Sequence, residues 1–411
     1  MRFRFAVTSF CLGMILLHLA VFWLARQQAL DGLPDFRIFY TAGLMLRRGQ
    51  GHDLYNDDLQ LKTQREFVKL PASEIRPLPY NHPPFEAILY VPFTYLPYLA
   101  AYSLWILLNL FAVGMSIYVM RPWLPALVRE FSWFLFLAPL AFFPVAYALM
   151  QGQDSIMLMA LYCLAYIAFR RRQDVQAGVF LGLGLFKFHL VLPFAFVLLL
   201  RRRWRAIAGM TISAACELAI SCALVGWREL LYYPHYAWLV NRTSSWSIIP
   251  RNMANLRGLF TGWTESVAQR SALELLLLGV SLCLLFWASQ YWHPGDFRSS
   301  DGWNAGFSIV LIATFLVGYH GYNQDLSMVL LPTLLVLDRL AADPARRGDM
   351  GLRVITGVLF FSPVYLVLTF HYEHQNLFSL VLLAFIGCLA ARSRAQSDTV
   401  SQENVSVASG G

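Results

Sequence analysis

Gly182-Leu183-Gly184-Leu185-Phe186-Lys187-Phe188-His189 lies within an apolar run, Gln176 to Leu200, that has arginines at both ends. Arg170, Arg171 and Arg172 precede the run; Arg201, Arg202, Arg203 and Arg205 follow it. A single crossing would put one cluster on each side of a membrane, against the tendency of Lys and Arg to collect on the cytoplasmic side. Two short helices meeting near Lys187-Phe188-His189 put both clusters inside. Gly178, Gly182, Gly184 and Pro193 suit tightly packed or broken helices. The run therefore reads as a hairpin whose tip carries Lys187 and His189 to the outer face.

Composition makes a membrane the setting. Of 411 residues, 58% are hydrophobic and 14% charged, with a mean hydropathy of +0.52. Soluble domains carry about 25% charged residues. The net charge of +8 fits arginines in cytoplasmic connections and points to no nucleic acid partner. Six cysteines stand singly in apolar runs, which argues against disulfides and against a CxxC metal site. Phe5 to Leu24 follows Arg2 and Arg4 and is long enough to span, with no small-residue cleavage site after it. It reads as an uncleaved first crossing.

Outward from the hairpin, the apolar runs give about twelve crossings with both termini inside. Among them are 98–120, 132–150, 155–169, 206–225, 273–292, 307–317, 326–337, 354–370 and 377–391; Phe85 to Pro97 either begins a kinked span or lies at the interface. Two long outer connections stand out, 26–84 and 226–264. The first contains helical spacing at Phe36, Phe39, Tyr40, Gly43 and Leu44, and a second surface helix over Asp57 to Val68. Residues 395–411 form a polar, Ser-rich tail expected to be disordered and cytoplasmic. The arginine-rich connections fall on one side. Asp35, His82, Gln151, Asp154, Lys187, His189, Asn255, His320, Tyr322 and Asp325 fall on the other, so an active site belongs on the outer face.

Each of these residues has two readings. Asp35 is either the N-cap of the helix that follows or a general base that takes a proton from a hydroxyl nucleophile. His82, in Tyr80-Asn81-His82-Pro83-Pro84, either binds phosphate or stiffens the return to the bilayer. Lys187 is a costly intramembrane ammonium that needs a partner such as a lipid phosphate, or else reaches the interface. Gln151, Gln153 and Asp154 can hydrogen-bond a sugar or cap the helix from Ser155. Arg251, Asn252, Asn255 and Arg257, in a loop opened by Trp246, can hold a pyrophosphate or glycan. His320, Tyr322 and Asp325 crowd a short outer turn. Asn241-Arg242-Thr243 and Asn404-Val405-Ser406 match the glycosylation sequon weakly, the second on the cytoplasmic side. No GxxxxGK[ST], HExxH or GxSxG is present, and no DxD pair to hold a metal and a sugar nucleotide.

Asp35-Phe36 with Tyr40 and Gly43, then Gly49 to Tyr55, then Tyr80-Asn81-His82-Pro83-Pro84-Phe85, resemble the first-loop signature of the GT87 glycosyltransferases, polyprenyl-phosphate-mannose-dependent mannosyltransferases of GT-C fold, also called DUF2029. Gln151-Gly152-Gln153, Gly182 to Lys187 with Pro193, and Asn255 are similar to that family as well. The resemblance implies an all-α polytopic GT-C-like bundle over residues 1–394. It also implies an inverting hexosyl transfer on the extracytoplasmic face of a bacterial inner membrane. The donor is then a lipid-linked sugar, typically polyprenyl-phosphate-mannose, and the acceptor a glycan or glycolipid. No nucleotide, cofactor or divalent metal is expected. Asp35 matches the family's catalytic carboxylate, and Lys187, His82 and Arg251 become candidates for the donor phosphate. Tyr40, Asn81, Gln151, Gln153, Asp154, His189, Asn255, His320, Tyr322 and Asp325 are left for sugar and acceptor.

Two other classes share parts of this pattern. A transporter or lipid flippase also has many spans and an intramembrane Lys, but places ionisable groups near the bilayer midplane and shows internal repeats. A ligase of lipid-linked glycans needs a larger late outer loop.

Overall fold

The run 176–200 does break at its centre. Asp174–Gly182 and Leu185–Leu200 are two helical segments bent by 59° at the intervening break. An ion pair between Arg203 and Asp174 brings the two arginine-bearing flanks to the same end. At 1.5 Å per residue, neither the 9-residue helix Asp174–Gly182 nor the 13-residue helix Phe188–Leu200 can cross about 30 Å of hydrocarbon alone. The pair is a re-entrant element, with Lys187 at its tip.

In this computed structural model the described residues are 2–71, 73–75, 78–242, 249–264, 266–292, 300–343 and 349–409. Among them all regular structure is helical. Trp246, Thr243 of the first sequon, the connection at 293–299, and Arg346 and Arg347 lie outside the described residues; so do the side chains of Asn241, Arg242 and Asn404. Among the described residues six helices are long and apolar enough to span: Arg4–Leu24, Tyr98–Trp123, Trp204–Val240, Gln269–Ser289, Ser300–Val317 and Gln375–Ser393. By length and composition the two bent pairs (the second is Met350–Phe360 with Ser362–His371) would raise the number to eight, and with the first pair re-entrant it is at most seven. This is fewer than the expected total of about twelve, and the reason is helix length. The run 132–150 breaks into Ser132–Phe136, Leu137–Ala141 and Phe143–Gln151, and the run 326–337 becomes a 3-10 turn followed by Leu330–Ala342. The backbone of the last helix, Phe378–Ser409, runs on through the stretch expected to be a disordered tail.

The first connection is folded. Helix Phe36–Arg47 lays its apolar face on the irregular helix Pro84–Tyr95 and on the start of Tyr98–Met120. Phe36, Phe39, Tyr90, Phe93, Tyr98, Tyr102 and Trp105 form one aromatic cluster there. Phe39 stacks on Tyr90 at 4.7 Å between ring centroids, and burying each ring stabilises this corner by roughly 1.5–3 kcal/mol. The long helix Trp204–Arg242 kinks at Gly226, whose φ of 79° suits glycine. Any side chain at Gly226 would meet the ring of His52, which hydrogen-bonds Val225. The helical continuation past this kink, as far as Arg242, makes the first part of the expected loop 226–264 a packed helix: Tyr233 and Tyr236 reach Tyr55 at 5.3 and 4.9 Å.

Candidate functional site

Helix Ser155–Arg170 is 16 residues long, so the Gln151-Gly152-Gln153-Asp154 turn at its start stands about 24 Å from the arginines at its end. That turn is clamped from three sides. Gly152 has φ 64°, and a Cβ there would strike Phe36 at 2.7 Å. Trp105 Nε1 donates to the Gly152 carbonyl at 2.9 Å, and the Tyr102 hydroxyl donates to the Met150 carbonyl. The first connection and the turn are thereby held against each other, and both meet the tip of the re-entrant pair.

Asp35 occupies the N-cap position of helix Phe36–Arg47, but its carboxylate makes no cap hydrogen bond. Gln153 Nε2 donates to Asp35 Oδ2 at 2.8 Å, while the Asp35 backbone N–H donates to Gln151 Oε1 at 3.3 Å. The two glutamines therefore hold Asp35 by side chain and backbone, and its carboxyl faces a cavity of about 400 Å³. Burial raises its pKa, against the Gln153 hydrogen bond and the charges of Arg37, Lys187 and His82.

Lys187 is buried between two carboxylates. Its Nζ lies 2.9 Å from Asp154 Oδ1 and 2.8 Å from Asp325 Oδ1. Asp325 also accepts from the Ser155 hydroxyl at 2.8 Å and, through Oδ2, from the Tyr322 N–H at 3.1 Å. The re-entrant tip, the Gln153–Ser155 turn and the 318–325 turn are thus joined at one ammonium. Burial favours the neutral form of Asp154, but Lys187 and His82 keep its pKa below the ordinary value.

His82 lies between Phe39 and Tyr80, with its Nδ1 2.8 Å from Glu86 Oε2. Burial lowers His82 to about 4, and burial beside Asp154 pushes Glu86 well above the usual carboxylate range. His189 and His320, also in the cavity lining, meet edge to face at 5.5 Å. Both ring nitrogens of His320 and the Nε2 of His189 are buried without a hydrogen-bond partner. Burial, then His189 and Arg257, keeps His320 neutral.

Of the residues singled out from the sequence, Asp35, Asn81, His82, Gln153, Lys187, His189, Asn252, His320, Tyr322 and Asp325 line the cavity. Asp154 stands just behind it through Lys187. The others lie elsewhere, among them Arg257, which pairs with Glu274 at 3.0 Å. Arg251 pairs with the exposed Glu373 at 2.7 Å and is absent from the cavity wall. Tyr40 points into the aromatic cluster and donates to the Leu96 carbonyl. Asn255 is fully buried as the N-cap of helix Leu256–Thr261 and donates to the Gly318 carbonyl. Gln151 lines a small separate crevice beside Tyr102 and Met150. Further contributors were not anticipated, Gln324 and Tyr319 among them. Tyr147 and Gln375 line the cavity, and Glu86 sits one helical turn beyond His82. The signal for Glu86 was a single carboxyl in an apolar segment, which needs a partner.

A model of glycosyltransferase family 87 matches residues 80–318. The match takes in His82, Glu86, Asp154, Lys187 and His189, and leaves Asp35, His320 and Asp325 outside. No curated protein and no solved structure matches the chain.

Proposed function

The chain belongs to glycosyltransferase family 87 and is a membrane glycosyltransferase, and from that premise we propose that it moves mannose from a polyprenyl-phosphate donor to a glycan or glycolipid acceptor, with inversion, on the extracytoplasmic face. The observation that carries this reading is the orientation of Asp35. Its carboxylate is free of the helix it precedes, held by Gln153, and turned into a cavity within the size range of small-molecule sites, about 300–1,000 Å³.

In the proposed step an acceptor hydroxyl oxygen bonds to the anomeric carbon while the bond from that carbon to the donor phosphate oxygen breaks. The electron pair leaves on the phosphate, and the hydroxyl proton passes to Asp35. A phosphodiester leaving group needs no general acid, so one base suffices. Lys187 and His82 face the departing phosphate, where fixed donors favour developing charge. His189, His320, Asn81 and Tyr322 take the sugar and acceptor hydroxyls, which explains unpartnered ring nitrogens in the wall. Charge supports this sidedness: arginine-bearing helix ends, such as the Arg203–Asp174 flank, suit the cytoplasmic side, opposite the cavity.

The test is mannose transfer in membranes containing the protein, from synthetic polyprenyl-phosphate-mannose and, in parallel, from a mannose nucleotide. Transfer from the lipid donor alone is expected. Transfer from the nucleotide in the absence of lipid donor overturns the donor assignment.

Gln153 has its own consequence. Gln153→Leu keeps bulk and removes the donor to Asp35, and hydrogen bonds to charged groups contribute about 1.5–3 kcal/mol. A kcat loss of about tenfold or more is expected with little change in KM. The acid limb of the pH profile should move upward, because that hydrogen bond favours the ionised form of Asp35. An unchanged rate and profile would remove Gln153 from any positioning role.

A further inference from the structure

His82, Glu86 and Asp154 each direct one ligand-type atom to a common point, all within 4.8 Å of one another. His82 Nδ1 lies 2.8 Å from Glu86 Oε2 and 3.9 Å from Asp154 Oδ2. Around a cation with bonds of about 2.1 Å, ligands at right angles stand about 3.0 Å apart and opposed ones about 4.2 Å. The observed separations fall in that interval or close to it. Glu86 has no exposed surface; the imidazole Nδ1 of His82, at 2.8 Å, is the polar neighbour of its Oε2, and its Oε1 has no hydrogen-bond partner. Asp154 is 2% exposed, and its Oδ2 has no hydrogen-bond partner. Its Oδ1 is matched electrostatically by Lys187, whereas Oδ2 is the oxygen on the His82 side.

Charge gives the same answer. Glu86, Asp154 and Asp325 bring three carboxyls to the single ammonium of Lys187. Buried carboxylates need compensation, by a proton or by a cation. A divalent ion leaves this group neutral with every carboxyl ionised, and a neutral imidazole is the form that binds metal.

We propose that His82, Glu86 and Asp154 form a binding site for a hard divalent cation of the Mg²⁺ or Mn²⁺ class. Three protein ligands leave further positions for water or for an anionic oxygen from the cavity that His82 lines. Asp154 serves two cations in this arrangement, Lys187 through Oδ1 and the metal through Oδ2. The sequence had given no reason to expect a metal, because its third ligand comes from a turn far along the chain from the first two. The site shares His82 with the proposed phosphate contact, but its readout is metal binding and not transfer, so its failure and that of the proposed reaction are distinguishable.

The experiment uses the full-length protein in detergent, stripped with chelator and titrated with Mn²⁺ alone. The free-ion electron paramagnetic resonance signal reports what remains unbound. Loss of signal equivalent to one Mn²⁺ per chain is expected. Glu86→Gln should weaken binding by about tenfold or more, and Glu373→Gln, an exposed carboxylate elsewhere, should leave it unchanged. His82→Gln, at the edge of the cavity, serves as the second variant and should weaken binding as well, so the test survives if Glu86→Gln does not fold. Absence of saturable binding, or wild-type affinity in every folded variant, overturns the site and leaves Glu86 holding a proton against His82.

Discussion

Asp35→Asn should reduce mannose transfer from polyprenyl-phosphate-mannose by about a hundredfold or more, the scale of a positioned general base. Asparagine retains the size of the side chain and can still accept from Gln153 Nε2, which lies 2.8 Å from the native carboxylate. Only the capacity to take a proton is lost, so kcat should fall far more than KM rises. The wild-type rate should climb with pH through an acid limb lying above the ordinary 3.8 of an aspartate, because burial raises the Asp35 pKa. That limb should be missing from whatever activity the variant retains.

Stability should move the other way. A carboxyl whose folded pKa is raised binds its proton more tightly in the native state than in the unfolded chain. Its effect on folding is therefore most favourable at low pH and is lost as pH rises through the folded value. At neutral pH the native protein holds this charge at a cost, and Asp35→Asn removes it. A melting temperature equal to or above wild type, together with the loss of transfer, separates a missing base from a misfolded protein. Transfer at the wild-type rate in a well-folded Asp35→Asn protein would exclude Asp35 as the base.

How much of this could be read from the chain depends on whether a residue's partners are near in sequence. Asp35 and His82 were legible because each opens or closes a polar segment next to an apolar one. The re-entrant pair was legible because arginines at both of its ends leave only one arrangement that keeps them together. The fate of Lys187 was not. A buried ammonium demands a partner, but the sequence offered a lipid phosphate as readily as Asp154 and Asp325, which reach it from two separate turns. Asn255 and Tyr40 look like binding residues in one dimension because polar and aromatic groups in loops often are. In the fold, one caps a short helix and the other fills an aromatic corner. The crossings were overcounted for a related reason. Hydropathy measures how apolar a run is, whereas spanning requires an unbroken helix of about 20 residues, and runs such as 132–150 are interrupted.

The second large effect concerns that ammonium. Lys187→Met keeps the length of the side chain and removes its charge, leaving Asp154 and Asp325, 2% and 3% exposed, facing each other with no cation between them. Breaking a buried ion pair by deleting one partner costs about 3–5 kcal/mol, a large part of a total stability of about 5–15 kcal/mol. A marked fall in melting temperature is expected, accompanied by loss of transfer, because the same contact holds the Gln153 turn and hence the orientation of Asp35. Asp325→Asn added to Lys187→Met should recover part of the stability. It removes one of the uncompensated charges and keeps an oxygen to accept from Ser155. The pair of variants distinguishes charge from packing. If Lys187→Met melts like wild type, the ammonium does not hold the three turns together; if the double variant melts no higher than the single one, the loss comes from packing at the re-entrant tip and not from stranded carboxylates.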